Sequence, residues 1–125
     1  MAKILIVEDH FPNQRLNSYR LRHQGHSVEV IDNGVDALEL IQNQVFDLAI
    51  LDIGIPKMDG LTVLKHIRAE AQTRSLPVIM LTASALNQHE EIAIATGANC
   101  FLHKPISSQE LREAVNSLLT KELSR

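Results

Sequence analysis

The sequence is poor in several features that would place it in a specialised class of protein. It has a single cysteine, Cys100, among its 125 residues, so the chain cannot form an internal disulfide. No apolar stretch approaches the roughly 20 residues that a membrane span needs. The apolar start, MAKILIVED, is too short and too acidic for a signal peptide. These absences predict a protein of the reducing cytoplasm, with Cys100 a small core residue.

Basic residues are also few. The 12 lysines and arginines are outnumbered by 15 aspartates and glutamates, the net charge is -3, and no basic run occurs. This charge distribution does not indicate direct binding to nucleic acid. The six histidines are scattered without metal-ligand spacing, and we expect them at the surface. With 45% hydrophobic residues and no repeats, the chain is expected to form one domain over 1–125 with its core at about 3–120.

What the sequence does contain is a regular alternation of two patterns. Short β-branched and apolar runs predict strands at 3–7, 27–31, 46–52, 76–83 and 99–103. Helical periodicity, with a turn opening the second segment, predicts helices at 12–25, 32–44, 60–70, 87–97 and 107–123. Five successive β–α units indicate a parallel sheet with helices on both faces. We therefore predict an α/β, flavodoxin-like (βα)5 doubly wound fold with strand order 2-1-3-4-5.

Two helices show specific features. The first is rich in polar residues, and Leu16, Tyr19 and Leu21 are expected to form its thin apolar face. The last begins with Ser107, and Glu110 follows three residues later. This spacing predicts a capping box, in which each residue bonds to the backbone N–H of the other.

Polar residues follow four of the predicted strands at the point where each strand ends. The first strand leads into Glu8 and Asp9, the third ends in Asp52, the fourth in Thr82, and the fifth in Lys104. In an open parallel sheet the ligand site lies outside the carboxyl ends of the strands, where the strand order reverses. We therefore expect these five side chains to form one site.

The composition of this site indicates its chemistry. Three carboxylates, from Glu8, Asp9 and Asp52, repel one another unless cations lie between them. Lys104 supplies one positive charge, and a ligand set of oxygen atoms alone favours a hard divalent ion such as Mg²⁺. Mg²⁺ commonly completes its shell with phosphate oxygens, so the site is suited to a phosphoryl group. Asp52 could then serve as a nucleophile, with the Thr82 hydroxyl bonding a phosphoryl oxygen.

With these residues in place, the chain resembles the receiver domain of bacterial two-component response regulators. The resemblance spans about residues 3–120 and rests on four segments in order: ILIVED, LAILDIGIPKMDG, VIMLTAS and FLHKPIS. It implies that Asp52 accepts a phosphoryl group from a phosphohistidine on a sensor histidine kinase or a histidine phosphotransfer protein. It further implies a regulator that assists only its own phosphorylation and dephosphorylation, and that could dimerise when phosphorylated.

The resemblance also assigns roles to further residues. Mg²⁺ would be held by Glu8, Asp9 and Asp52 together with the main-chain carbonyl of Gly54. Thr82 and Lys104 would contact the phosphoryl group. The resemblance further implies that phosphorylation is coupled to an aromatic switch residue at Phe101, and that the bond before Pro105 is cis.

Several positions depart from or modulate the family pattern. The acidic pair is Glu-Asp rather than Asp-Asp, and Ile55 stands where methionine often precedes the proline. Gly54 and Ser84 occupy positions that tune the lifetime of the phosphorylated state. The segment VEDHFPNQ, with Asn13, is more similar to receivers attached to hybrid sensor kinases than to those of DNA-binding regulators. Nothing after residue 120 predicts an effector, so we expect either a single-domain regulator or the receiver of a longer chain.

Other functional classes fit the residues less well. An aspartate-nucleophile phosphatase would place a second acid two residues after Asp52, where Gly54 stands. A flavin mononucleotide carrier would need a Ser/Thr/Gly phosphate cradle after the first strand, where the sequence is the acidic EDHFPN. A phosphorylation-independent interaction module of the same fold remains the main alternative.

Overall fold

The five predicted β–α units form one layered domain. The computed structural model describes residues 2–83 and 87–123. Strands β1 to β5 are Lys3–Val7, Ser27–Ile31, Leu48–Asp52, Val78–Thr82 and Cys100–His103. Helices α1 to α5 are Phe11–His23, Gly34–Asn43, Gly60–Ala69, Asn87–Thr96 and Ser108–Leu123. All strand pairs are parallel and the order is β2-β1-β3-β4-β5, which confirms the predicted fold. None of the described helices combines the length and apolarity that crossing a membrane would require.

The sheet separates two apolar cores, because successive residues of a strand point to opposite faces. On β1, Leu5 and Val7 join the core that includes residues of α2 and α3. Ile4 and Ile6 join the other core, to which α5 contributes. Every residue of β3 and of β4 is buried. The central strands are therefore fixed from both sides, which holds their carboxyl ends in place.

Helix α1 differs from the sequence-based expectation. Its buried residues are Leu21 and the polar Asn17 and Ser18, whereas Leu16 and Tyr19 are 47% and 67% exposed. The helix is polar on nearly all sides, so its own pattern hardly selects a face, and packing against the sheet decides which residues are covered. The prediction that Leu16 and Tyr19 lie on the apolar face was therefore wrong.

Element boundaries shift by one or two residues. β4 begins at Val78 rather than at residue 76, and the residue before it, Pro77, has no N–H to donate to a neighbouring strand. β3 begins at Leu48 rather than at residue 46. The predicted capping box is present: Ser107 Oγ accepts the Glu110 N–H at 3.0 Å, and Glu110 Oε1 accepts the Ser107 N–H at 3.1 Å.

The histidines also differ in part from expectation. His10, His23, His66 and His103 are exposed, as predicted. His26 and His89 are half-buried, and the Nδ1 of His26 accepts the backbone N–H of Ala2 at 3.2 Å. Cys100 is half-buried against the core that includes α5.

Candidate functional site

The strand register brings the predicted polar residues to one edge of the sheet. Val7, the residue before Glu8, pairs with Leu51, the residue before Asp52. Asp52 in turn pairs with Leu81, the residue before Thr82. Parallel strands in register end at the same level, so the side chains that follow them converge.

Three carboxylates meet at this edge. One carboxylate oxygen from each of Glu8, Asp9 and Asp52 lies within 4.8 Å of the others. Glu8 and Asp52 are 1% and 6% exposed, whereas Asp9 is open to solvent. Carboxylates at this spacing repel strongly, and an oxygen-only donor set of this kind suits a hard divalent cation. The donor chemistry therefore fits the predicted Mg²⁺ ion.

Lys104 lies between two of these acids. Its Nζ is 2.7 Å from Oε1 of Glu8 and is also ion-paired with Oδ2 of Asp52. Burial by itself would lower the pKa of Lys104, but the hydrogen bonds and charges of Asp52 and Glu8 outweigh burial and raise it. The lysine is therefore held as a cation beside the buried acids.

The Glu8 carboxyl is the most enclosed acid of the site. Burial raises its pKa above the ordinary value; the Lys104 hydrogen bond partly offsets this, while the neighbouring Asp52 raises the pKa further. Oε2 of Glu8 accepts the His10 N–H at 3.2 Å, and the Glu8 carbonyl accepts the side-chain amide of Gln14. Gln14 was missed by the sequence analysis, because a polar helix residue gives no signal of such a contact.

The backbone after β3 orients the Asp52 carboxylate. The Gly54 N–H donates to Oδ1 of Asp52 at 3.0 Å, which leaves Oδ2 to face Lys104. A Cβ at Gly60 would lie 2.5 Å from the Asp52 carbonyl oxygen, so the start of α3 approaches the strand end too closely for a side chain. The turn itself contains Lys57, at φ 68°. This loop therefore fixes both the main chain and the side chain of Asp52.

A second glycine contact holds the same loop from α2. The Gly34 N–H donates to the Pro56 carbonyl at 3.2 Å, and a Cβ at Gly34 would lie 1.9 Å from the Met58 carbonyl oxygen. The sequence analysis gave Gly34 no role beyond its place in the segment 32–44, a predicted turn followed by a helix. Its close contact joins residues more than 20 positions apart, so no local pattern could have indicated it.

The remaining predicted residues lie on β4 and β5 or directly after these strands. Thr82 is 4% exposed, and its carbonyl accepts the Lys104 N–H at 2.8 Å, which places these two residues side by side. The Lys104–Pro105 peptide bond is cis. Phe101 is half-buried against the core that includes α2 and α3, and its ring centroid lies 5.4 Å from that of His103. Phe101 is therefore a core-packed residue of β5 and not a member of the acidic cluster. Ser84 lies outside the described residues.

One contact of the β5–α5 connection also escaped sequence analysis. Arg20 of α1 donates to the carbonyl of Ile106 at 2.8 Å and to Oδ1 of Asn17 at 3.3 Å. The arginine therefore ties the first helix to the segment that follows Lys104 and Pro105. Its position on a polar helix gave no indication of this role.

Comparison with known families agrees with this geometry. The model of the response regulator receiver domain family matches residues 4–116 of the chain. The chain therefore belongs to the response regulator receiver domain family, whose members serve two-component signalling.

Two solved structures illustrate the similarity. The receiver domain of the sensor histidine kinase PA1611 from Pseudomonas aeruginosa PAO1 is 32% identical, with a TM-score of 0.88 over 95% of this chain and 98% of that one. That structure has a magnesium ion coordinated in its active site cleft. The chemotaxis response regulator CheY4 of Vibrio cholerae is 31% identical, with a TM-score of 0.89 over 95% of this chain and 99% of that one.

A longer relative shows the same module in another setting. The protein named "Probable histidine kinase 1" of Oryza sativa subsp. indica is 26% identical over 149 aligned positions. The alignment covers 94% of this chain but 15% of that protein. The chain therefore corresponds to a small part of that relative.

Proposed function

We propose that the chain, over residues 1–125, is a phosphoacceptor receiver domain in a cytoplasmic phosphorelay. Asp52 would accept a phosphoryl group from a phosphohistidine on a sensor histidine kinase or a histidine phosphotransfer protein. The observation that carries the proposal is the placement of Asp52. Its carboxylate is oriented by the Gly54 N–H and lies against Lys104 at the acidic edge of the sheet.

The transfer would be a displacement at phosphorus. An oxygen of the Asp52 carboxylate would form the new P–O bond as the P–N bond to the donor imidazole breaks. The electron pair of the P–N bond would return to the imidazole nitrogen, which then carries a proton from solvent. Such transfer depends mainly on positioning and on neutralising the phosphoryl oxygens.

The acidic cluster would hold Mg²⁺ through the carboxylates of Glu8, Asp9 and Asp52 and the main-chain carbonyl of Gly54. When bound, the ion would supply positive charge next to the phosphoryl oxygens. Three carboxylate oxygens within 4.8 Å, with Asp9 open to solvent, are the observation that supports this ligand set.

Two further side chains would respond to the phosphoryl group. Lys104, paired with Asp52 and Glu8 in this structure, would exchange the Asp52 oxygen for a phosphoryl oxygen. Thr82, at the end of the neighbouring strand, would donate its hydroxyl to another. These contacts would favour one arrangement of the face formed by β4, α4, β5 and α5, with Phe101 as the switch residue. That face would then bind an output partner or a second copy of the chain.

Intact mass spectrometry tests the chemistry directly. The chain is incubated with acetyl phosphate and Mg²⁺, with and without a chelator, alongside Asp52→Asn and the matched control Asp59→Asn. Asp59 is an exposed residue that caps α3, and asparagine preserves that cap. We expect a single phosphoryl adduct that requires Mg²⁺ and Asp52 and survives Asp59→Asn.

Two other results would contradict the proposal. An adduct that persists in Asp52→Asn would assign the acceptor to another residue. A folded, Mg²⁺-binding wild type that gains no adduct from acetyl phosphate, phosphoramidate or a phosphohistidine protein would support the phosphorylation-independent interaction module instead.

A further inference from the structure

Helix α1 contacts the backbone on both sides of the Glu8–Lys104 ion pair. The side-chain amide of Gln14 donates to the Glu8 carbonyl, and the guanidinium of Arg20 donates to the Ile106 carbonyl at 2.8 Å. Ile106 lies two residues after Lys104, so each contact holds a segment that carries one partner of the pair. The two donors are six residues apart on one helix, about 9 Å at 1.5 Å per residue. A single rigid element therefore links the two segments.

The segment after β1 carries two of the three clustered acids, and its main chain has few other supports. His10 occupies the N-cap position of α1 but makes no side-chain capping hydrogen bond. Asp9 is exposed, so close packing does not fix its side chain. The Glu8 carbonyl and the Asp9 N–H belong to one planar peptide unit. The bond from Gln14 therefore orients the plane from which the Asp9 side chain departs.

The segment after β5 has empty space beside it. A cavity of about 240 Å³ lies between α1 and the β5–α5 connection, and Lys104, Pro105 and Arg20 are among its lining residues. Pro105 has no N–H and so offers no backbone donor that could fix this segment. The bond from Arg20 to the Ile106 carbonyl therefore holds the connection at a place where packing is incomplete.

Arg20 also acts on Lys104 through its charge. In the described part of the chain, no acidic side chain forms an ion pair with Arg20. The arginine and the lysine line the same cavity, and like charges repel. A position of the Lys104 ammonium in the cavity is therefore disfavoured relative to its position beside Glu8 and Asp52.

We propose that Gln14 and Arg20 are positioning residues of the acidic site. Gln14 would fix the main chain of Glu8, and Arg20 would keep the Lys104 ammonium beside Asp52. The effect on phosphoryl transfer rests on the proposed function of Asp52, whereas the effect on the geometry of the site does not. A displacement of about 1 Å at a reacting group can cost roughly a hundredfold in rate, so such contacts matter for the chemistry.

Both contacts also stabilise the fold, so a matched contact is needed to separate the two roles. Arg22 of the same helix provides it, because its guanidinium donates to the Val28 carbonyl of the edge strand β2 at 3.1 Å. Arg22→Met and Arg20→Met each remove an arginine–carbonyl bond from α1. Their effects on the free energy of unfolding, measured with urea, should be similar, and only Arg20→Met should alter the site.

The first measurement uses the full chain without phosphodonor. A chain labelled with ¹³C at the lysine Cε gives one NMR signal for each of its five lysines, and Lys104→Met identifies the signal of Lys104. We expect Arg20→Met to move this signal towards those of the exposed Lys57 and Lys65, because the ammonium leaves the buried acids. Arg22→Met should leave the signal unchanged.

The affinity for Mg²⁺ tests Gln14. Amide chemical shifts followed during a Mg²⁺ titration give the Kd. Gln14→Met should weaken binding about tenfold, whereas Gln109→Met, at an exposed glutamine of α5, should leave it within about twofold. Arg20→Met should not weaken binding, because Lys104 competes with the ion for the two buried acids.

The last measurement adds acetyl phosphate at saturating Mg²⁺. Arg20→Met should slow the formation of the phosphoryl adduct about tenfold, and Arg22→Met should leave the rate within about twofold. A wild type that gains no adduct would refute the proposed function of Asp52. The Lys104 signal and the Mg²⁺ affinity would still decide the two positioning roles.

Other outcomes would overturn the inference. A Lys104 signal that stays in place in Arg20→Met, or moves equally in Arg22→Met, would remove the role of Arg20. A Mg²⁺ affinity that is unchanged in Gln14→Met, or equally weakened in Gln109→Met, would remove the role of Gln14. In either case the contact would serve the stability of the fold alone, and adduct formation on Asp52 could still be observed.

Discussion

The Nζ of Lys104 lies 2.7 Å from Oε1 of Glu8, a carboxylate that is only 1% exposed. Lys104 also pairs with Asp52, so one ammonium balances two buried acids at the end of the sheet. The lysine therefore contributes to the stability of the site as well as to the proposed phosphoryl contact. These two contributions can be separated, because Lys104 contributes only to stability when no phosphodonor is added.

Replacing Lys104 by methionine in metal-free buffer should destabilise the chain by about 1–3 kcal/mol, because two buried carboxylates lose their shared cation. Added Mg²⁺ should restore part of this loss by binding the acids. Urea denaturation with and without Mg²⁺ measures both effects. Lys65→Met, at an exposed lysine of α3, is the control and should change little in either buffer. A Lys104→Met variant as stable as wild type without Mg²⁺ would contradict this account.

Position 34 should not accept a side chain. Gly34→Ala would place a Cβ 1.9 Å from the Met58 carbonyl oxygen, so the backbone must move, and we expect a loss of about 2–3 kcal/mol. Gly54→Ala is the comparison, because its Cβ would lie 3.8 Å from Oδ1 of Asp52, an ordinary contact. Thermal or urea unfolding should therefore show that Gly34→Ala is clearly less stable than Gly54→Ala. Equal stability of the two variants would show that the backbone of the loop after β3 can rearrange at little cost in free energy.

Arg68 joins three parts of the chain, and no acidic side chain among the described residues forms an ion pair with it. Its guanidinium donates to the carbonyls of Gly97, Arg74 and Leu76 and to the side chain of Asn99. Burial lowers its pKa from the ordinary value, which still leaves it charged at neutral pH.

Arg68→Met should therefore cost about 1–3 kcal/mol of folding free energy, since four hydrogen bonds are lost and two of them, to the carbonyls of Gly97 and Leu76, are partly buried. Arg68→Lys should recover little of it, because one ammonium cannot reproduce the planar fork of donors. Denaturation midpoints of both variants, compared with Arg112→Met at an exposed arginine, measure the effect. Full stability in Arg68→Lys would show that charge alone matters here.

His26 should make stability depend on pH. Burial lowers its pKa below the ordinary value of 6.5, and the positive charge of the amino terminus lowers it further. Above pH 6.5 His26 is neutral in both the folded and the unfolded chain, and it does not reduce the stability. As the pH falls from 6.5 towards the lower pKa of the folded state, the unfolded chain binds a proton that the folded chain does not, so the free energy of unfolding decreases.

The expected signature is a difference between variants. His26→Gln, which keeps an acceptor for the Ala2 N–H, should lose less stability than wild type between pH 7 and about pH 5. The control His66→Gln, at an exposed histidine of α3, should follow wild type. Urea midpoints across this range provide the measurement, and parallel curves for all three proteins would refute the assignment.

The site was predictable from sequence because it depends on strand ends. Strands β1 and β3 are continuous apolar runs, so the first polar residues after them, Glu8 and Asp52, must reach the same edge of a parallel sheet. Lys104 was placed near the acids by the same argument. No side-chain geometry was required, only the fold class and the points at which the apolar runs stop.

The face of α1 and the loop contacts were not predictable in this way. Asn17 and Ser18 are buried while Tyr19 is exposed, because packing against the sheet overrides a weak helical pattern. The close approach of Gly34 to Met58 depends on two loops that meet only in the folded chain. Such contacts are set by tertiary packing, which a local sequence window does not contain.

The two cores on opposite faces of the sheet have a consequence for how a signal could spread. On β5, Phe101 belongs to the core that includes α2 and α3, whereas its neighbours Cys100 and Leu102 belong to the core that includes α5. A small shift of this edge strand would therefore disturb the packing on both faces of the sheet. Because the strand packs against both cores, a displacement at its carboxyl end would reach helices on either side of the domain.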